Sequence, residues 1–169
     1  EIIKSYKKAK GKIEPIELTT VQEYVDICEY IAAEMAKLGL PIQVNVVPGP
    51  TMRDGKATGK FTLFRANWGA DYPDAENFLS LYYSKNFAPE GPNYSHFKNV
   101  AFDQLYEKSF LINNPDERAA TYQQMDEIMM QTAPILPLFY DQTTLFLNKK
   151  VKNFSMGPIK LLDLTRVYK

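Results

Sequence analysis

Between Ile16 and Ala66 the apolar spacing changes repeatedly between the period of a strand and the period of a helix. Ile16 and Leu18 alternate in "IELTT", as in a half-buried strand. From Val21 onward, Val25, Cys28, Ile31 or Ala32, Met35 and Leu38 recur at helical spacing. Thr20 and Glu23 precede this run as a T-x-x-E capping box, and Gly39 and Pro41 follow it as stop signals. "PIQVNVV" is a second extended run, closed by "PGP", and "FTLFRA" is a third. "TMRDGKATGK", between them, reads as a short helix or a loop. Strands separated by helices cannot pair as hairpins. They pair through crossovers, which make neighbouring strands parallel. The alternation therefore predicts an open, largely parallel α/β sheet.

The rest of the chain is predominantly helical by the same reading. "EIIKSYKKAK" predicts a basic helix that stops at Gly11, and "DAENFLSLYY" a helix with Asp74 as its N-cap and Glu76 in its first turn. "SKNFAPEGPNYSHFKN" predicts a long irregular connection. "AFDQLYEKSFLI" and "DERAATYQQMDEIMMQT" predict two further helices, the second capped by Asn114 with Pro115 in its first turn. "PILPLFY", "TTLFLN" and the stretch through "LTRVYK" predict strands or extended segments.

Composition excludes several function classes. Twenty basic and twenty acidic residues cancel, so no overall field selects nucleic acid or an anionic membrane. No apolar run is long enough to cross a bilayer. Cys28 has no partner for an internal disulfide and lies on an apolar stripe, which predicts an inert core thiol. His96 is the only histidine, and no glycine-rich phosphate loop is present. The chain thus carries no zinc motif and no Ser/His/Asp arrangement. No cofactor and no metal is expected. Asp71, Asp74 and Glu76 do not have the alternating oxygens, glycine and distal Glu of a calcium loop. The chain starts with Glu rather than Met and without a signal pattern, which is expected of a processed or shortened form.

The stretch "FRANWGADYPDAENFL", residues 64–79, holds the candidate site. It follows the third predicted strand, and ligands of open α/β sheets sit beyond the carboxyl ends of strands. Asp74 and Glu76 have structural work at the start of a helix, but Asp71 has none. Asp71 is either a loop residue bonding local N–H groups or a counter-ion for a bound cation. Trp68, the only tryptophan, either covers a ligand with its flat face or plugs the core beneath the loop. Arg65 either makes a forked bond to a carboxylate or is a solvated residue at a strand end.

Three blocks, "NWGADYPDAENFL", "FDQLYEKSFLINNPDERAATYQQMDEIMMQTAPILPLFY" and "VKNFSMGP", resemble the family 5 extracellular solute-binding proteins. These are the dipeptide- and oligopeptide-binding subunits of ABC importers. The W-x-x-D-Y-P-D-x-x-x-F-L and R-x-x-x-Y-x-x-x-x-x-I…P-I-x-P-L patterns are specific in combination. The resemblance implies one lobe of a two-lobed type II periplasmic-binding-protein fold, as the C-terminal portion of a longer receptor. Residues 1–133 would form most of the smaller lobe, and 134–169 a tail returning to the larger one. It further implies that Asp71 holds a peptide α-amino group. It implies too that Trp68, with Gly69 and Ala70, lines the same pocket, and that Arg65 matches a basic residue that in some members meets the peptide carboxylate. Its implied partners are a peptide and the permease and ATPase subunits of an importer. Its implied location is the periplasm or the outer face of the bacterial cytoplasmic membrane, with attachment only through a lipid anchor or the permease. Catalysis is not expected. The alternatives are a member that binds an oligosaccharide, a nickel chelate or haem, and a hydrolase lobe using the loop carboxylates.

Overall fold

The computed structural model describes residues 2–142, 144–157 and 162–169. The chain divides into two compact units, residues 1–67 with 88–94, and residues 68–87 with 95–169.

The first unit begins with the basic helix α1 (Ile2–Lys10), which ends where Gly11 turns to φ +81° and donates its N–H to Lys7 O at 2.8 Å. It then alternates strands and helices, as the apolar spacing predicts: β1 (Ile16–Thr20), α2 (Val25–Lys37), β2 (Ile42–Val46), α3 (Gly49–Ala57) and β3 (Leu63–Phe64). The sheet order is β2-β1-β3, and both pairings are parallel. β1 and β2 pair from Ile16 with Ile42 to Thr20 with Val46, and Leu18 faces Leu63 in β3. As the central strand, β1 buries Leu18, Thr19 and Thr20. α2 lies against β1 and β2 and buries Cys28 completely, so the thiol is a core residue.

Two local expectations need correction, and a third, with two readings, resolves to one of them. The T-x-x-E box does not close, because Thr20 is held extended in β1, where its carbonyl accepts Val47 N–H at 2.9 Å. The chain instead enters α2 through a 3-10 turn, Gln22–Tyr24, with no side-chain cap. The stretch from 51 to 60, left open between helix and loop, is mostly helix, and α3 tolerates Gly55 because the Phe61 ring lies directly over it. The third strand is shorter than "FTLFRA" suggests. Only Leu63 and Phe64 pair with β1, and one further bond runs from Arg65 N–H to Thr19 O at 3.0 Å.

In the second unit α4 (Glu76–Leu79) is a single turn that continues as 3-10 through Tyr82. The irregular connection follows, of which residues 88–94 belong to the first unit, and then α5 (Val100–Ser109) and α6 (Pro115–Thr132) pack together. Asn99 caps α5 through Phe102 N–H at 3.1 Å, and Asn114 caps α6 through Asp116 and Glu117 N–H at 2.9 and 3.1 Å. The core joins Leu79, Phe102, Tyr106, Met125 and Met129. Beyond Ala133, which ends α6 at φ +49°, the described residues contain no strand. A single antiparallel bridge joins Lys152 and Tyr168, and Tyr140 and Phe146 are 97% and 94% exposed. The expected extension at Thr143 and 158–161 lies outside the described residues.

Candidate functional site

The loop before α4 is organised by the carboxylates and the amide of that helix's first turn. Asp74 lies one position before the N-cap, which is Ala75, rather than at it. It still does capping work, since its Oδ1 accepts Glu76 N–H at 3.0 Å. The same oxygen accepts the Tyr122 hydroxyl at 3.0 Å, and Oδ2 pairs with Arg118 Nη2 at 2.8 Å. Burial, and then the bond to Asp74, pushes the Tyr122 hydroxyl up to about 12.

Glu76 is 8% exposed and accepts the hydroxyls of Tyr72 and Tyr106. A buried carboxylate needs such donors, and each is worth about 1.5–3 kcal/mol net. Burial, and then the bond to Glu76, raises the Tyr106 hydroxyl well above its ordinary range. Tyr72 is raised chiefly by its own bond to Glu76.

Asp71 is the third acid of the stretch, and it differs from the other two. Its side chain is exposed, and among the described residues its carboxylate makes no hydrogen bond and no ion pair. Its main-chain N–H donates to Asn77 Oδ1 at 3.3 Å. Trp68 is 36% exposed, and its indole N–H donates to the same Asn77 oxygen at 2.7 Å. Ala70 is half-buried, and a Cβ added to Gly69 would meet nothing within 4 Å. The structure thus places Trp68, Gly69, Ala70 and Asp71 together in the second unit. The sequence reading missed Asn77. The available signal was an Asn in the first turn of a helix that already had its caps, and so without a local backbone task.

Arg65 belongs to the first unit. Its guanidinium carbon lies 3.2 Å from the centroid of the Tyr24 ring, and Nη1 donates to Asn67 Oδ1 at 3.3 Å. Its Nε is buried without a hydrogen bond, so Arg65 is not simply a solvated strand-end residue. Within the same unit, burial and then repulsion from Arg65 and Arg53 push the Lys56 ammonium below its usual range. Among the described residues no carboxylate pairs with Arg53, Lys56 or Arg65.

The family model of the bacterial extracellular solute-binding proteins, family 5 Middle, matches residues 4–90. That is just over half of the chain, and the chain belongs to this family. Over 119 residues it is 31% identical to the probable deoxycholate-binding periplasmic protein YgiS of Escherichia coli K12, covering 70% of this chain and 22% of the relative. It is 29% identical over 134 residues to the periplasmic murein peptide-binding protein MppA of the same organism, covering 76% and 24%. The solved structure of the periplasmic binding protein DppA from Helicobacter pylori, in complex with the peptide STSA, matches with a TM-score of 0.66 at 26% identity. That match covers 78% of this chain and 26% of the other. The chain spans about a quarter of the length of these relatives. Its fold is part of the type II periplasmic-binding-protein fold, and its family is one of binding proteins.

Proposed function

We propose that the chain is the amine-recognising part of a peptide receptor that serves an ABC importer. One observation carries this reading. Of the three acids in the loop, two are satisfied internally, and the third, Asp71, presents a carboxylate with no partner among the described residues, beside an indole that is 36% exposed. An ammonium enclosed by a closing receptor loses its water and needs a counter-charge. Asp71 supplies that charge, and the indole face shields it and attracts the cation. Arg65, in the first unit, is proposed by itself as a carboxylate-binding group, since among the described residues its Nε has no hydrogen bond and no acid pairs with it. Recognition through the charged ends and main chain leaves side chains free to vary. The protein binds and releases its ligand without transforming it.

The relatives' names support peptide binding and a periplasmic location. We place this chain in the periplasm or on the outer face of the bacterial cytoplasmic membrane, delivering to permease and ATPase subunits. Residues 1–133 then form most of a smaller lobe, and the exposed apolar segment from 134 packs on a larger one.

A second reading follows from the relative named for deoxycholate. An anionic steroid acid has no ammonium and would leave Asp71 idle. Calorimetry on the full-length receptor with a free-amine tripeptide, its N-acetylated form and deoxycholate separates the two. Peptide binding that is lost on acetylation supports the proposal. Binding of deoxycholate with no response to either peptide refutes it.

A further inference from the structure

Two hydrogen bonds converge on a single atom. Asn77 Oδ1 accepts the Trp68 indole N–H at 2.7 Å and the Asp71 main-chain N–H at 3.3 Å. Asn77 is 4% exposed, so the acceptor is buried while the two bonds it receives are partly so, and losing it leaves two donors without this partner. The backbone of Asn77 already serves the helix turn: its N–H donates to Asp74 O at 3.1 Å and its carbonyl accepts Ser80 Oγ at 2.8 Å. The side-chain oxygen is therefore committed to the loop alone. On the other side of Asp71, the Tyr72 hydroxyl is held by Glu76, which Tyr106 anchors from α5.

We infer that Asn77 is a positioning residue that locks Trp68 and Asp71 into one geometry, with the indole offering its face and the carboxylate left free for a cationic amine. Because the indole N–H is occupied, Trp68 has no donor to give a ligand. It selects groups that sit on a π-face, which an ammonium and its adjoining carbons do. Because the loop is ordered before the ligand arrives, its entropy loss falls on folding and not on binding. The inference rests on the peptide reading only for the identity of the ligand.

The test uses the full-length receptor without ligand and then with it. The Trp68 indole proton resonance, assigned by its loss in Trp68→Phe, and hydrogen exchange at the Asp71 amide report the lock directly. Asn77→Leu keeps the approximate shape and removes the acceptor, whereas Asn77→Asp keeps an oxygen in place. In Asn77→Leu both N–H groups should exchange faster by about tenfold or more, while amides in α5 and α6 stay unchanged. Affinity for a free-amine tripeptide should fall about tenfold, the size of one buried hydrogen bond, and discrimination against the N-acetylated peptide should shrink. Asn77→Asp should restore exchange protection and discrimination. Should Asn77→Leu not fold, Asn77→Ala, which leaves a small gap instead of an apolar contact, makes the same comparison. Unchanged exchange at the indole and Asp71, or an Asp variant that restores neither property, overturns the inference. A wild type that binds no peptide, with exchange behaving as expected, refutes the peptide reading and leaves the lock supported.

Discussion

Asp71→Asn removes the charge of the one loop carboxylate without a partner among the described residues, and keeps its shape and its main-chain bond to Asn77. The size of the effect depends on how far that charge is desolvated. In this chain Asp71 is exposed, and an ion pair left in that setting is worth about 0–1 kcal/mol, under tenfold in affinity. Inside a closed receptor the remaining ammonium is buried without a partner. Truncating one side of such a pair costs about 2–5 kcal/mol, about 30-fold to several thousand-fold. The expected result in the full-length protein is the larger figure. Asp74→Asn is the control. Asn can still accept Glu76 N–H, but the pair with Arg118 and the bond from Tyr122 weaken. Both partners are partly exposed, so stability should fall by about 1 kcal/mol or less while affinity hardly moves. Calorimetry gives the affinities and denaturant titration the stabilities. Equal losses of affinity at Asp71 and Asp74, or undiminished binding by Asp71→Asn, would show that the loop is only structural.

Three other outcomes follow. Burial, then the nearby Asp126 carboxylate, pushes Tyr82 up to about 12, so between its ordinary value of 10 and about 12 the unfolded chain loses a proton that the folded chain keeps. Stability should therefore be full below pH 10 and fall as pH rises toward 12, with tyrosinate absorbance appearing together with unfolding; early ionisation of every tyrosine in the folded state would contradict this. Gly55→Ala drives a Cβ into the Phe61 ring and should destabilise by about 1–3 kcal/mol in denaturant titration, an effect that Phe61→Leu in the same background should relieve. The chain expressed alone should self-associate through its exposed segment after residue 133 and bind tripeptide poorly; a clean monomer in light scattering, with that segment protected in hydrogen exchange, would contradict the assignment of the tail to another lobe.

The parallel sheet was legible because period and punctuation agreed. Ile16 and Leu18 alternate, the apolar stripe of α2 recurs at helical spacing, and Gly39 sits at φ +82° where the stop was expected. The helix caps at Asn114 and the stop at Gly11 were legible for the same reason: each is a local rule acting on adjacent residues. The capping box failed because Thr20 satisfied two local rules at once, and the strand prevailed through its pairing with β2 and its burial. Propensity near a strand end yields to the ladder, since leaving a buried backbone group unpaired costs more than forgoing one cap.

The candidate site was legible in its acids and not in its geometry. Sequence reasoning gave Asp74 and Glu76 helix-start tasks and left Asp71 over. The structure sharpens that contrast, because Asp74 reaches Arg118 and Tyr122, and Glu76 reaches Tyr72 and Tyr106. Tyr106, Arg118 and Tyr122 lie far along the chain from the loop, and no spacing rule brings α5 and α6 to it; only packing of the second unit's core does. Asn77 was invisible for a different reason. Its partners, Trp68 and Asp71, are close in sequence, but the contact requires the loop to fold back over a helix turn, which a linear pattern does not encode. A polar residue at an early helix position whose backbone is already satisfied is therefore a reason to search the preceding loop for the group it holds. In this chain that group is the pairing of an indole with the loop carboxylate that has no partner among the described residues.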